Sequence, residues 1–433
     1  MFKKKDNNEK SVQAKITTAF TLGFAVLPAA AGSIVGFLFV FAALAGIRDI
    51  CTKRIDLSLS PYDKLLVYPA ITFFLVMMIS IIRADFEPAD VLSLLPALMF
   101  VCLYFVIKRY RYLGNQDSFR FFITAIPIGA FPLLIVMGFE FDSIAKGFRF
   151  AGGAGNPIPF AMIVTLMLGI CIMNLAFHTW RGKLLVILAI AIFITALGTS
   201  LTRSMFLAFF PIMLISAVFL IIESKRKIVY AVSLIAIVTT CIIFTSQIGH
   251  IQSRAGTLKQ AVVALQQGNE LQTGSFNERI AIFQKGVCLA IQKPLLGHGI
   301  AKRRNVLNTI TTASEATKIE FCSLESPAYP YTHFHNGFVT AFIDAGIFGF
   351  LASLWLLFAP IIFAVKSPND GLKRMRIATA LCLTTVYFFA GMTNILFGQD
   401  LIDAIFMIFC LFLALSVPNS NQNSLRASKS ISP

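Results

Sequence analysis

Tyr329-Pro-Tyr-Thr-His333-Phe-His335-Asn336-Gly-Phe-Val-Thr-Ala-Phe-Ile-Asp344-Ala-Gly-Ile-Phe-Gly-Phe350 joins a long hydrophilic loop to an apolar run that is long enough to cross a bilayer. Two of the chain's five histidines, His333 and His335, stand at this junction. A titratable group in that position can meet chemistry that is carried on a lipid.

The same passage from polar connection to apolar run recurs along the chain. With 57% hydrophobic and 13% charged residues and a mean hydropathy of +0.78, 433 residues cannot fold as a soluble domain, because so much apolar surface would find no interior. Backbone in lipid must satisfy its own hydrogen bonds, and runs of roughly 18–23 apolar residues indicate helices rather than alternating barrel strands. The expected class is all-α, a polytopic integral membrane protein of about twelve transmembrane helices. The spans are read at 16–30, 32–47, 64–82, 90–107, 120–138, 157–176, 183–200, 205–222, 228–248, 337–364, 377–396 and 400–417. The first two form one apolar stretch interrupted near Leu27-Pro-Ala-Ala-Ala-Gly32, which predicts a tight hairpin. The basic start (Lys3, Lys4, Lys5, Lys10, Lys15) leads into a run too long for a cleaved signal.

A net charge of +16 would suggest nucleic acid in a soluble protein, but here its location marks sidedness. With the N-terminus inside, 24 Lys and Arg fall in cytoplasmic segments. Only Arg83, Lys146, Arg149 and Arg203 fall in the short connections opposite, and nine lie in the long loop, where the rule does not apply. Both termini are therefore expected in the cytoplasm and residues 249–336 outside. The resulting organisation is a tail over 1–15, nine spans within 16–248, the external loop 249–336, three spans within 337–417 and a tail over 418–433. The tails are polar and are expected to be disordered.

The loop itself should fold. Leu258, Val262 and Leu265 share a helical face that stops at Gly268. A second helix opens at Ser275-Phe-Asn-Glu278, a capping box, with Ile280, Phe283, Val287 and Ile291 on one stripe up to Pro294. Cys288 and Cys322 both lie in this loop, and a disulfide between them is allowed if it faces an oxidising compartment.

Three positions could carry chemistry. Arg203, in Gly198-Thr-Ser-Leu-Thr-Arg-Ser204, ends the seventh span; an arginine at that depth either pairs with an anion or snorkels to headgroups. Arg279 lies near the start of the capped helix, where free N–H groups and the dipole favour an anion and a guanidinium adds a bidentate grip. A surface pair with Glu278 is its plain alternative. His335 has a reference pKa near 6.5 and can act as a general base, or it can simply pack. Metal binding by His333 and His335 is disfavoured, because their i,i+2 spacing suits a strand and no third ligand set is evident.

These residues resemble the O-antigen ligase/polymerase superfamily, bacterial polytopic enzymes that transfer lipid-linked glycans at the outer face of the inner membrane. The resemblance covers about residues 190–365 by motif. The family's arginine opening a helix and the following PLLGxG turn appear as Arg279 and Lys293-Pro-Leu-Leu-Gly-His-Gly299. Its His-Asn and acidic-x-Gly-x-x-Gly segments appear as His335-Asn336 and Asp344-Ala-Gly346-Ile-Phe-Gly349, and its span-end arginine as Arg203. The departures are Thr202-Arg203-Ser204 for Ser-Arg-Gly, Asp344 for the usual Glu and Phe283 for the common Trp.

The resemblance implies a metal-independent, cofactor-free inverting glycosyltransferase in the bacterial inner membrane with its active site facing the periplasm. It would move glycan from undecaprenyl diphosphate to a hydroxyl of lipid A–core oligosaccharide, with membrane lipids and no nucleic acid as further partners. Arg203 and Arg279 would bind the diphosphate and His335 would activate the hydroxyl, with Asn336, His333 and Asp344 in support. Two other readings stay open: a polymerase that uses the same donor, and a transporter or flippase, for which Asp403 is nearly the only carboxylate within a span.

Overall fold

The computed structural model describes residues 2–82, 88–113, 117–224, 275–300, 302, 334–394 and 396–418. Its described residues form helices and short 3₁₀ turns with no strand, and the protein is an all-α polytopic membrane protein, as expected.

Helices α1 (Phe2–Val26) and α2 (Gly32–Cys51) make the expected hairpin. The N-terminal stretch read as a disordered tail is helical from Phe2 onward. Next come α3 (Pro61–Ile82), α4 (Leu98–Leu113), α5 (Ser118–Ala125) and α6 (Ala130–Phe139), the last two joined by a 3₁₀ turn at Ile126–Gly129. The short α7 (Phe141–Ala145) precedes α8 (Pro157–Asn174), α9 (Trp180–Thr199) and α10 (Phe206–Glu223). Beyond them stand α11 (Ser275–Gln292), α12 (Gly337–Lys366), α13 (Lys373–Thr393) and α14 (Asp400–Leu415). Among the described residues eight segments are long and apolar enough to cross a membrane: α2, α3, the α5–α6 unit, α8, α9, α10, α12 and α13. The expected spans 16–30, 90–107 and 400–417 correspond to α1, α4 and α14, outside that set, and 228–248 lies outside the described residues.

Position in the bundle follows from how apolarity is distributed around each helix. Helices α8 and α14 are buried on nearly every side and sit at the centre; every residue of α14 from Ile402 to Leu415 is buried. Peripheral helices turn large side chains outward, such as Phe37 and Phe41 of α2, which lipid accepts without penalty. Helix α12 runs along α3 and α13, and α11 packs on α12.

The fourth span was misplaced in the sequence. Residues 88–94 form a 3₁₀ segment, and α4 starts only at Leu98 because Pro96 lacks an N–H and disfavours helix at the residue before it. The helix then continues through Lys108-Arg-Tyr-Arg111, which had been read as a cytoplasmic connection. Those charges are held inside: Arg109 pairs with Asp49 of α2 at 2.5 Å and Arg111 with Asp63 of α3 at 2.5 Å. Arg111 also donates to the carbonyls of Ala414 and Val417, and Arg376 of α13 to Ser367 and Pro368, so this end of the bundle is braced by arginines.

The opposite end is tied together by its own loops. Gly153 N–H donates to the Ala29 carbonyl and Phe150 N–H to that of Thr199, joining the first hairpin, the α7–α8 connection and the end of α9. Helix alternation from the paired ends of α2, α3, α4 and α14 puts the start of α12 and the α13–α14 loop at this same end.

Candidate functional site

At that end stand α11, the turn after it and the first turns of α12. Helix α11 buries Ile282 and Leu289 against Phe334 and Ile343. Gly286 lies between them; a Cβ there would stand 2.7 Å from Val339 Cγ1, so the glycine is what lets the two helices approach. The face that packs on α12 is not the stripe read from the sequence. Phe283 and Ile291 are exposed, 43% and 49%, while the buried face is Ile282, Gly286 and Leu289. The other face borders an open apolar groove of about 420 Å³, whose walls include Val287, Ile291, Pro294, Phe338, Phe342 and Phe350. Cys288 is disulfide-bonded. Cys322, named with it above, lies outside the described residues, as do the expected helix at 257–267 and His333.

The turn after α11 and the Asp344–Gly349 segment prove to be one structural unit. Helix α12 breaks at Ala345 (φ −138°, ψ 21°) and Gly346 (φ 64°, ψ −155°). In a continuous helix Ile347 N–H would donate to the Ile343 carbonyl. Here Ile347 N–H donates instead to the Pro294 carbonyl (2.8 Å), and the Ile343 carbonyl accepts from His298 N–H (2.6 Å). Gly299 N–H donates to the Asp344 carbonyl at 2.9 Å, so the turn supplies the partners that the break removes. Asp344 is buried, 2% exposed, inside this junction.

His335 and Asn336 open α12. Asn336 is the N-cap: its Oδ1 accepts from Phe338 and Val339 N–H at 3.0 and 3.1 Å. His335, half-buried, holds φ at 50°, a left-handed conformation that a non-glycine residue keeps only when its surroundings impose it. Those surroundings are Phe334, anchored beneath α11, and the α13–α14 loop, whose Leu396 backbone lies against Gly337. The loop is in turn held by Asp403, whose carboxylate oxygens accept from Gly398 N–H at 3.1 and 2.9 Å.

Arg203 opens a 3₁₀ turn, Arg203–Met205, at the end of α9, and Arg279 lies in α11; the described part of each is its backbone. One residue near Arg203 had been counted only as a stray outer charge. Arg149 donates from Nε to the Ser200 carbonyl (3.2 Å) and from Nη2 to Thr202 Oγ1 (3.0 Å), shaping the turn in which Leu201 also holds a positive φ of 50°. Its signal in the sequence was its place just before Ala151-Gly-Gly-Ala-Gly-Asn156, a glycine-rich stretch that must turn tightly.

The second histidine of the site is His298. Its ring Nε2 lies 3.0 Å from the Leu289 carbonyl, and burial lowers its pKa below the ordinary histidine value, so the neutral ring is favoured. Among the described residues no three or more His, Cys, Asp or Glu cluster so as to hold a metal.

Residues 188–354, from α9 through α11 to the middle of α12, match the family model described as O-antigen ligase. That stretch is similar to the O-antigen ligase family, and the helices long and apolar enough to cross a membrane make the chain a polytopic membrane protein. It is also 23% identical over 350 residues to an uncharacterized protein of Haemophilus influenzae, a match that covers 76% of this chain and 79% of the relative.

Proposed function

We propose that the protein is an O-antigen ligase. It transfers glycan from undecaprenyl diphosphate to a sugar hydroxyl of lipid A–core at the periplasmic face of the inner membrane, with both termini in the cytoplasm. The observation that carries this reading is the family match over 188–354, which takes in Arg203, Arg279 and His335 together. The left-handed His335 beside its N-cap and the open groove at the same helix start, whose apolar lining suits a prenyl chain, agree with it.

In this reading the acceptor oxygen attacks C1 of the donor sugar, the C1–O bond to the diphosphate breaks, and the hydroxyl proton passes to His335. Arg203 and Arg279 hold the diphosphate and its developing charge, the task many glycosyltransferases give to a divalent metal. One displacement inverts the anomeric centre. Asn336 holds the start of α12, Asp344 the break, and His333 supports His335.

The test is transfer by purified protein from a lipid-diphosphate glycan to lipid A–core, with and without EDTA, beside His335→Ala. The expected result is a single glycan-bearing species on lipid A–core, insensitive to EDTA and lost in the variant. A ladder built on the donor lipid without acceptor would make it a polymerase, and no product under any condition would favour a carrier.

A further inference from the structure

We propose that His298 is a positioning residue that sets α11, and Arg279 on it, at a fixed place relative to His335. The inference rests on the roles given to those two residues above.

His298 touches both helices at once. Its backbone N–H donates to the Ile343 carbonyl of α12 at 2.6 Å, and its ring lies 3.0 Å from the Leu289 carbonyl of α11. A carbonyl can only accept, so Nε2 carries the proton and donates. Leu289 belongs to the last turn of α11, where four carbonyls lack partners within the helix. The ring therefore caps α11 while the backbone of the same residue fills the gap in α12. The neighbouring Leu295 and Leu296 do not do this; their side chains are exposed, 64% and 39%. Both glycines that flank His298 have positive φ, 69° at Gly297 and 91° at Gly299, and the turn they shape directs the ring back toward α11.

The geometry matters because the arginines hold the group whose bond to C1 breaks while the base serves the hydroxyl whose bond to C1 forms, on opposite faces of one carbon. Arg279 rides on α11, three turns before Leu289, while His335 is fixed at the start of α12. A small rotation of α11 about its Gly286 contact would carry Arg279 farther than His335, which the Asn336 cap and the α13–α14 loop also hold. Loss of the His298 ring should therefore weaken donor capture more than the chemical step.

The experiment compares full-length wild type with His298→Ala, His298→Asn and His298→Gln. Two quantities are read: steady-state transfer from lipid-diphosphate glycan to lipid A–core, and amide hydrogen exchange over residues 286–300. Glutamine places an amide N–H near the ring Nε2 position; asparagine is too short to reach Leu289. The expected result is an apparent KM for the donor raised about five- to tenfold in the alanine and asparagine variants, the loss of one hydrogen bond, with a smaller change in kcat. Exchange over the last turn of α11 should speed up in both, and glutamine should restore both quantities. If alanine does not fold, asparagine carries the same comparison. Unchanged exchange, or faster exchange with wild-type KM, overturns the proposal. A wild type that makes no product sinks the ligase reading itself, and the clamp is then judged by exchange alone.

Discussion

Gly346 and Leu295 meet backbone to backbone: a Cβ on Gly346 would fall onto the Leu295 carbonyl. The break in α12 and the turn after α11 thus fit only while residue 346 is glycine, which its φ of 64° with ψ of −155° also requires. Gly346→Ala should destabilise the protein by about 1–3 kcal/mol through strain alone. Transfer should fall with it, because the turn is pushed off α12. Thermal unfolding in detergent alongside the transfer assay checks this; full activity in the variant would show that the turn can move freely.

Arg149 should matter to activity through the turn that carries Arg203. Arg149→Ala removes two hydrogen bonds to the turn that carries Arg203, so transfer should drop about tenfold while membrane insertion is unchanged. Lysine has one donor group where arginine offers a fork, so Arg149→Lys should recover little. Rates of the two variants at saturating acceptor decide the point.

The Asp49–Arg109 pair gives a stability prediction. Both side chains are buried, 1% and 7% exposed, so Asp49→Ala strands a charge and should cost about 3–5 kcal/mol. Replacing both, Asp49→Leu with Arg109→Met, should return much of that loss. A double-mutant cycle of unfolding midpoints measures the coupling.

Docking of the turn should depend on pH through His298. Burial lowers its pKa in the folded state against the Leu289 hydrogen bond, which raises it, with Lys293 acting in the same direction as burial and Asp344 opposing. The released state then binds the extra proton first, so the contribution is complete above about pH 6.5 and is lost as pH falls toward the lower folded value. Protection factors over residues 286–300, taken against the intrinsic exchange rate at each pH, should fall from pH 7 to 5.5 in wild type and change less in His298→Gln.

Much of the fold was legible because apolar runs and their interruptions are local signals. The Pro28–Gly32 break, the helix opening at Ser275 and the start of the late span at residue 337 each appear where the residues suggested. What was hidden depends on partners distant in sequence. The run from Gly337 to Lys366 reads as one helix, since the turn that stabilises its break lies some fifty residues earlier. Helix α11 carries apolar residues on two faces, and the small Gly286, invisible to a hydrophobic pattern, chooses the buried one. Arg109 and Arg111 looked like ordinary inside charges because the sequence does not show that Asp49 and Asp63 await them. Of the site, the residue types and order were readable; the joining of the two glycine motifs through backbone, and the hold of Arg149 on its turn, were not.

Those two ion pairs also impose an order on synthesis. Asp49 and Asp63 leave the ribosome before Arg109 and Arg111, so each arginine reaches the bilayer when its counter-charge is already there. Helix α4 need not enter lipid as a bare cation; it can dock onto α2 and α3 as it inserts, and the first four helices can assemble as a cotranslational unit before the rest of the bundle is made.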